Sequence, residues 1–438
     1  MASELIRFKR GAMTVLPLYG NLSPERQREV FASTSGRKWV AATNIAETSL
    51  TIDGIVYVID CGLANDMMFS PQLRANVLQR TAISQASANQ RKGRAGRTRP
   101  GVCYRLYTQD MFTSLQPSTV PAILRADMRT AILQVQTCGF HDVWSFDWLD
   151  KPAPEALLRA ISDLKWMGFL DKNAKITGQG KQAAKCPVDP AWFYTILQGM
   201  KFGCAQETIS LAALSSTQGS IFLRPHSHRY AADLIGRPNF GHPVSDHLAL
   251  LNAYHAWCRV DNAHENHVTA IWSERHGLSN KTLREAAKIH EQLGGNLQYL
   301  LQGKFPAAKF DDPEYATNIR KALAAGLFLN SAIRVKGEDT YKTAQRHNGL
   351  ISPESALVGG QHELVVCSTL AMSNRLYLVT CTRIEPEWIA DMPYFAEENV
   401  LKDAHGQPKV AIMQESLARA RGRIEAEKRR DVGAEKPQ

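Results

Sequence analysis

The sequence predicts a multidomain chain that runs from α/β through α to β character, and three observations carry that prediction. Short apolar runs alternate with polar, helix-forming stretches over residues 12–110, the pattern of a parallel sheet with helices. Residues 189–305 read as almost wholly helical. Residues 330–390 turn to β-rich runs separated by Gly359-Gly360 and Ser373-Asn374 turns, the pattern of a small barrel. At 438 residues the chain is too long for one compact core, so two to four domains are expected.

In order along the chain, Val15-Leu16-Pro17-Leu18-Tyr19 reads as a strand. Ser23 as N-cap and Pro24 at the first helical position then start a helix through Phe31. Trp39–Ala42 and Ile55–Ile59 are continuous apolar runs typical of buried parallel strands, and Cys103–Tyr107 is a further strand. Only about a dozen residues precede the first strand, so this domain is expected to be incomplete on its N-terminal side. Ala126–Val135 is helical, and Leu157, Ile161 and Leu164 form an apolar helical stripe. Phe169-Leu170 and Lys175-Ile176, joined through Asp171–Ala174, read as a hairpin; two helices and a β-wing predict a winged helix. Ala332–Val335, Leu364–Leu370 and Leu376–Ile384 are the barrel strands. From about residue 409, eight Lys/Arg and five Asp/Glu with few large apolar residues read as a solvated helix fading into a disordered tail.

Composition narrows the class. The formal charge of +10 favours an anionic partner, nucleic acid or a membrane surface. No run of eighteen apolar residues exists, so a membrane span is not expected. The N-terminus lacks the apolar core of a signal peptide. Eight scattered cysteines, none in a CxxC arrangement, exclude a zinc knuckle and point to a reducing compartment. Between Asp66 and Asp110 there is no acidic residue, while Arg74, Arg80, Arg91, Lys92, Arg94, Arg97, Arg99 and Arg105 all occur. A solvated face would carry both signs, so an anion-binding surface is the better reading.

Within that stretch, Gln90-Arg91-Lys92-Gly93-Arg94-Ala95-Gly96-Arg97 spaces arginines by three and interrupts them with glycines. Arg94 and Arg97 fall on one side of a helical turn, and two guanidinium forks aimed at one point suit a polyphosphate. An arginine finger or a generic basic helix gripping RNA would both fit this segment alone. A second segment, Ala42-Thr43-Asn44-Ile45-Ala46-Glu47-Thr48-Ser49-Leu50-Thr51-Ile52-Asp53-Gly54, follows one apolar strand and precedes another. Hydroxyls and carboxylates at a strand's C-terminal end sit where open α/β sheets bind ligands.

These two segments resemble motifs V and VI of the DEAH-box ATP-dependent RNA helicases, in the same order and separation. Leu18-Tyr19-Gly20, Pro152–Glu155, Pro187–Pro190, Phe222–Pro225, Asn318–Leu323 and Pro386-Glu387-Trp388 resemble further landmarks of that family. The resemblance covers the chain to about residue 400 and is closest to the helicases of spliceosome disassembly and ribosome biogenesis. It implies a partial second RecA-like domain over 1–110, a winged helix over 111–187, a helical ratchet over 188–320, an OB-fold over 321–400, and a C-terminal helix and tail over 401–438.

The resemblance also implies roles. Gln90, Arg94 and Arg97 would contact the β- and γ-phosphates of ATP, and Ser49 would place the attacking water. Thr51 and Asp53 would meet the ribose, and Phe31 would stack on the adenine. Thr43, Asn44 and Arg74 would hold RNA, the first two through phosphate oxygens, and Met68–Leu78 would form the family's β-hairpin. The implied partners are RNA, a G-patch activator protein and spliceosomal or pre-ribosomal particles, with no membrane. The implied compartment is the nucleus, with nucleolus and cytoplasm as further sites.

Two departures stand out: Lys92 replaces a usual Ala, and Ile351–Ser355 replaces a usual His-Pro-Ser pattern. The 438 residues contain no GxxxxGK[ST] and no DEAH box. ATP with Mg²⁺ therefore needs metal ligands on a first RecA-like domain, and this chain alone is expected to be inactive. The alternative expectation is a truncated, non-catalytic module that binds RNA or a G-patch partner. His226, His228, His264 and His267 lack companion cysteines, so surface or capping roles are favoured over metal.

Overall fold

A computed structural model describes residues 13–19, 22, 24–48, 52–97, 99–223, 239–263, 265–399 and 410–434. The chain divides into two compact units, one of residues 1–68 and 78–125, the other of residues 69–77 and 126–438.

The first unit is α/β. Strand β1 (Met13–Leu18) pairs in parallel with β2 (Arg37–Ala42), with the short helix α1 (Pro24–Glu29) between them in sequence. Helix α2 (Ile45–Thr48) follows β2 at once, because Thr43 and Asn44 accept from the amides of Ala46 and Glu47 and so close a turn. Strand β3 (Tyr57–Asp60) pairs in parallel with β6 (Val102–Arg105), and helix α3 (Gln85–Lys92) packs against β3. Ser84 caps α3 by accepting from the Ser87 amide at 3.1 Å. Helix α4 (Gln109–Ser114) is capped likewise by Thr108 and lends Phe112 to a small core around Ile83, Ala88 and Leu115.

The burial expected of β3 holds on one face only, and β6 beside it is alike. Tyr57 is 65% exposed, Ile59 56% and Tyr104 54%, with Tyr57 and Tyr104 stacked 6.3 Å apart. The α3 side is covered and carries Asp60 and Arg105; the other side has no second layer among the described residues. Continuous apolar runs thus marked two apolar faces, of which this unit covers one.

Strands β4 (Leu63–Ser70) and β5 (Ala75–Ala82) flank the turn 71–74, and the tip, residues 69–77, belongs to the second unit. There Ala75–Val77 pairs in parallel with Leu370–Met372. Arg74 sits in the left-handed region at φ 53° and is buried. Its Nε donates to Asp163 Oδ2 at 3.0 Å and its Nη1 to the Leu329 carbonyl at 3.1 Å.

Helices α5 (Arg129–Thr137), α6 (Pro154–Trp166) and α7 (Gly178–Lys185) open the second unit. The α6 stripe of Leu157, Ile161 and Leu164 is buried as its spacing requires, and Asp163 is buried among them because Arg74 neutralises it. An antiparallel bridge Leu170–Ile176 forms the hairpin expected before α7. Helices α8 (Pro190–Lys201) and α9 (Ala205–Ser215) follow, α9 with its interior residues buried on every side. Then come α10 (Asp246–Ala263), α11 (Asn266–Arg275), α12 (Asn280–Leu301) and α13 (Tyr315–Gly326). Trp257 is buried in the core formed by α10 and α12, while Trp144 is exposed.

Strands β7 (Ser331–Arg334), β8 (Thr340–Thr343), β9 (Asn348–Ile351), β10 (Leu364–Met372) and β11 (Leu376–Ile384) close a five-stranded barrel in the order β11-β9-β8-β7-β10. A parallel β9–β11 pair and an antiparallel β10–β11 pair complete the circuit. A buried polar clip joins α10 to it. His247 shares hydrogen bonds with Thr382 Oγ1 and Ser368 Oγ, each at 2.8 Å, and Asp246 accepts from the Cys381 amide at 2.8 Å. The final helix, α14 (Ala411–Ala434), departs from the expectation of a solvated helix. Met413, Leu417 and Ala420 are buried, and Arg421 donates to the carbonyls of Ala390 and Phe395.

Candidate functional site

The acid-free stretch of the first unit needs counter-charges from elsewhere, and Glu47 and Asp60 supply them. Both lie on elements that precede the stretch, at α2 and at the end of β3. Arg91, on the last turn of α3, donates from Nε to Glu47 Oε2 at 3.0 Å and from Nη1 to Asp60 Oδ1 at 2.9 Å. Ser87, one turn earlier, donates to Glu47 Oε1. The Asp60 side chain is fully buried and also accepts from the Tyr107 hydroxyl at 2.8 Å and the Gly62 amide at 3.0 Å.

Electrostatics follow from this packing. Burial lowers the Arg91 pKa, but the hydrogen bonds and charges of Asp60 and Glu47 more than offset it, so the net shift is upward. Burial, with the hydrogen bond to Asp60, pushes the Tyr107 hydroxyl up to about 12. Arg91 is therefore a fixed cation that ties the hydroxyl-rich segment to the arginine segment. It is not one of a row of three equivalent arginines.

Past α3 the chain leaves the helix at Gly93, and Arg94 reaches back to donate to the Glu47 carbonyl. The Arg94 pKa is lowered, first by burial and then by the charge of Arg97, with Glu47 opposing. Two cations are thus held close enough to disfavour one another. Arg97 is exposed, and a Cβ built on Gly96 between them would meet nothing within 4 Å. The expected close approach of backbone and ligand has room there. An anion bridging the two guanidinium groups would relieve their repulsion.

The remaining expected residues are distributed differently. Gln90 is exposed on α3, Thr43 and Asn44 are exposed at the turn before α2, Asp53 is exposed before Gly54, and Phe31 is 47% exposed. None of their side chains joins the Glu47–Arg91–Asp60 network. Ser49 and Thr51 lie outside the described residues. Arg74 does not fit RNA contact: its guanidinium is buried and committed to Asp163 and the Leu329 carbonyl, so no donor is presented to solvent. That corrects the expectation placed on it.

The donor set fits the phosphate end of a nucleotide along one wall. It does not extend to a metal: among the described residues no group of three or more His, Cys, Asp or Glu side chains could hold one. Sequence reading passed over Glu47, Asp60 and Tyr107 as functional supports. The one available signal was charge balance, since a run of eight cations with no local acid must find its partners nearby.

No helix among the described residues is long and apolar enough to cross a membrane. The family description of the helicase conserved C-terminal domain matches residues 1–99, which include both the Glu47 and the Arg94 segments. The description of the oligonucleotide/oligosaccharide-binding (OB)-fold matches residues 319–393, which include all five barrel strands. A helicase C-terminal domain followed by an OB-fold in one chain fits the C-terminal part of a DEAH/RHA-type helicase.

Proposed function

We propose that this chain is the finger-bearing wall of an ATP-dependent RNA helicase, acting on RNA or ribonucleoprotein. The observation that carries the reading is the mutual placement of Arg94 and Arg97 beside the open Gly96, anchored through Arg91 and Glu47 to the hydroxyl-rich turn. In this reading Arg94 and Arg97, with Gln90, meet the β- and γ-phosphates and stabilise charge that develops on transfer. Phe31, Thr51 and Asp53 hold the base and ribose, and Ser49 orients water. ATP with Mg²⁺ supplies the transferable phosphoryl group and its charge-neutralising ion. The Walker A cradle and the metal ligands come from outside these 438 residues, which contain neither motif. Thr43 and Asn44, exposed at the turn before α2, offer donors to RNA phosphates.

The finer assignment is also a proposal. The α5–α6 helices followed by the Leu170–Ile176 hairpin support a winged helix, and the α8–α13 helices a ratchet. Spliceosome disassembly or ribosome biogenesis, a G-patch activator and a nuclear location rest on the resemblance of the motifs.

The test is reconstitution in trans. A first motor domain carrying Walker A and DEAH segments is mixed with this chain, and RNA-stimulated ATP hydrolysis is measured. Activity should appear with the wild type and fall at least about a hundredfold with Arg94→Gln or Arg97→Gln. Wild-type activity in both variants, or turnover by this chain alone, sinks the reading. A second reading, a binding module without ATPase, is favoured by the absence of any phosphate-cradling motif. Tight RNA binding with no reconstituted hydrolysis would select it.

A further inference from the structure

Strands β10 and β11 pair antiparallel, and their register sets Cys367 directly opposite Cys381. Both thiols are buried in the barrel core, in one cluster with Tyr341, Val365 and Leu378, so the two side chains share a face of the strand pair. Cys367 Sγ donates to the Asn330 carbonyl at 3.5 Å and Cys381 Sγ to the Leu378 carbonyl at 3.4 Å. All eight cysteines are free, and Cys61 and Cys138 are exposed.

The hydrogen bonds around the pair fix its class. The Cys381 amide points out of the ladder and donates to Asp246 Oδ2 at 2.8 Å, as the Arg383 amide does to the Val244 carbonyl at 2.8 Å. Cys367 and Cys381 therefore form a non-hydrogen-bonded pair, in which Cα atoms approach to about 4.5 Å, inside the roughly 4.4–6.8 Å that a disulfide spans. One rung further the ladder is interrupted. Thr369 pairs with Val379, but Ser368 and Thr380 do not pair, and Thr380 is left-handed at φ 57°. The break is a local weak point beside two thiols that face each other. Burial pushes the Cys367 thiol up to about 12 and holds Cys381 well above its ordinary value, with Cys367 adding to the second shift. Neither ionises while the strands are closed, so their chemistry waits on opening at the break.

We propose that Cys367 and Cys381 are a modification site, a dithiol that closes to a reversible disulfide with a low-molecular-weight disulfide as oxidant. One cysteine loses its proton to water on opening, and its thiolate attacks a sulfur of the small disulfide. A mixed disulfide forms, and one small thiolate leaves and takes up a proton. The second cysteine, deprotonated in turn, attacks the sulfur of the first. The Cys367–Cys381 bond forms and the second small thiol leaves with that proton. Two protein thiols are oxidised and one small disulfide is reduced to two thiols. The new bond staples β10 to β11 beside Leu370–Met372, the segment that pairs with Ala75–Val77 of the hairpin tip. This site needs neither RNA nor ATP and does not rest on the helicase reading.

The test incubates the full chain with oxidised glutathione under native conditions, quenches it with acid and digests it with trypsin without reduction. Cleavage after Arg346, Arg375 and Arg383 leaves Cys367 and Cys381 in separate peptides, each with one cysteine. The expected product is the linked pair of residues 347–375 and 376–383, two hydrogens lighter than the two peptides together and released by dithiothreitol. Cys61 and Cys138 should carry glutathione instead, and sooner, because they are exposed. Cys381→Val, close in volume and apolar, should abolish the link. The second unit of the oxidised wild type should melt about 5 °C higher than the reduced form, since the bond closes a short loop in the unfolded chain. Oxidised Cys381→Val should show no such rise. Glutathione on Cys61 and Cys138 with no 347–375/376–383 link, separate glutathione adducts on Cys367 and Cys381, a link that forms only after the second unit unfolds in urea, or a linked chain that melts no higher overturns the proposal.

Discussion

The Arg91 guanidinium lies 3.0 Å from Glu47 Oε2 through Nε, and its Nη1 lies 2.9 Å from Asp60 Oδ1. One side chain thus clamps α2 to the end of β3 and fixes the helix from which Arg94 and Arg97 depart.

Arg91→Ala should therefore act on stability before it acts on any ligand. It strands a carboxylate that is fully buried and retains only the Tyr107 and Gly62 donors. A loss of about 3 kcal/mol is expected, read as a lower urea midpoint for the first unit. Arg91→Lys can meet only one carboxylate at a time and should recover part of it. An unchanged midpoint in Arg91→Ala would show that the clamp is not structural.

The hairpin tip offers a second buried pair. Arg74→Ala leaves Asp163 buried without its cation and should destabilise the second unit by about 3–5 kcal/mol. Arg74→Met combined with Asp163→Leu removes both charges and should regain most of that loss. A double-mutant cycle with no coupling energy between the two positions would refute the tether.

His247 gives a pH dependence. Burial lowers its pKa from the ordinary 6.5 to about 3. Its folded pKa lies below its unfolded one, so its contribution to stability is fully present above pH 6.5 and is lost as pH falls toward 3. The slope in that window is at most about 1.4 kcal/mol per pH unit from this group. His247→Gln should flatten the difference between pH 6.5 and 4 in parallel denaturation curves. Identical pH slopes in wild type and variant would contradict the assignment.

Gly101→Ala tests the packing behind the arginine segment. A Cβ there would overlap the carbonyl oxygens of Ala95 and Val56, both backbone atoms with little freedom to move. A loss of about 3 kcal/mol is expected for the first unit, with the second unit's thermal transition unmoved. Coincident shifts in both transitions would argue that the effect is not local.

Periodicity made much of this architecture legible. The α6 stripe, the hairpin at Leu170–Ile176 and the barrel strands β7, β10 and β11 follow from local patterns of side chains, whereas the short strands β8 and β9 are not legible in them. Local pattern failed where a long-range partner decided the outcome. The helix α14 looked solvated because its apolar residues are few, yet Met413, Leu417 and Ala420 suffice to seat its first half. The strand β3 looked buried because an apolar run does not state how many faces are covered.

The sequence by itself determined that a basic, acid-free segment with arginines at three-residue spacing follows a hydroxyl-rich turn between two strands. Composition and spacing are local properties, and they survive without knowledge of the fold. Only the tertiary structure decided what each arginine does. Arg91 and Arg74 meet buried carboxylates and become internal ties, whereas Arg94 is half-buried with a bond to the Glu47 carbonyl and Arg97 is exposed. The physical reason is that a guanidinium's role depends on the charge and solvent within a few ångströms of it. Asp163 lies 89 residues from Arg74 in sequence, and only folding brings it there.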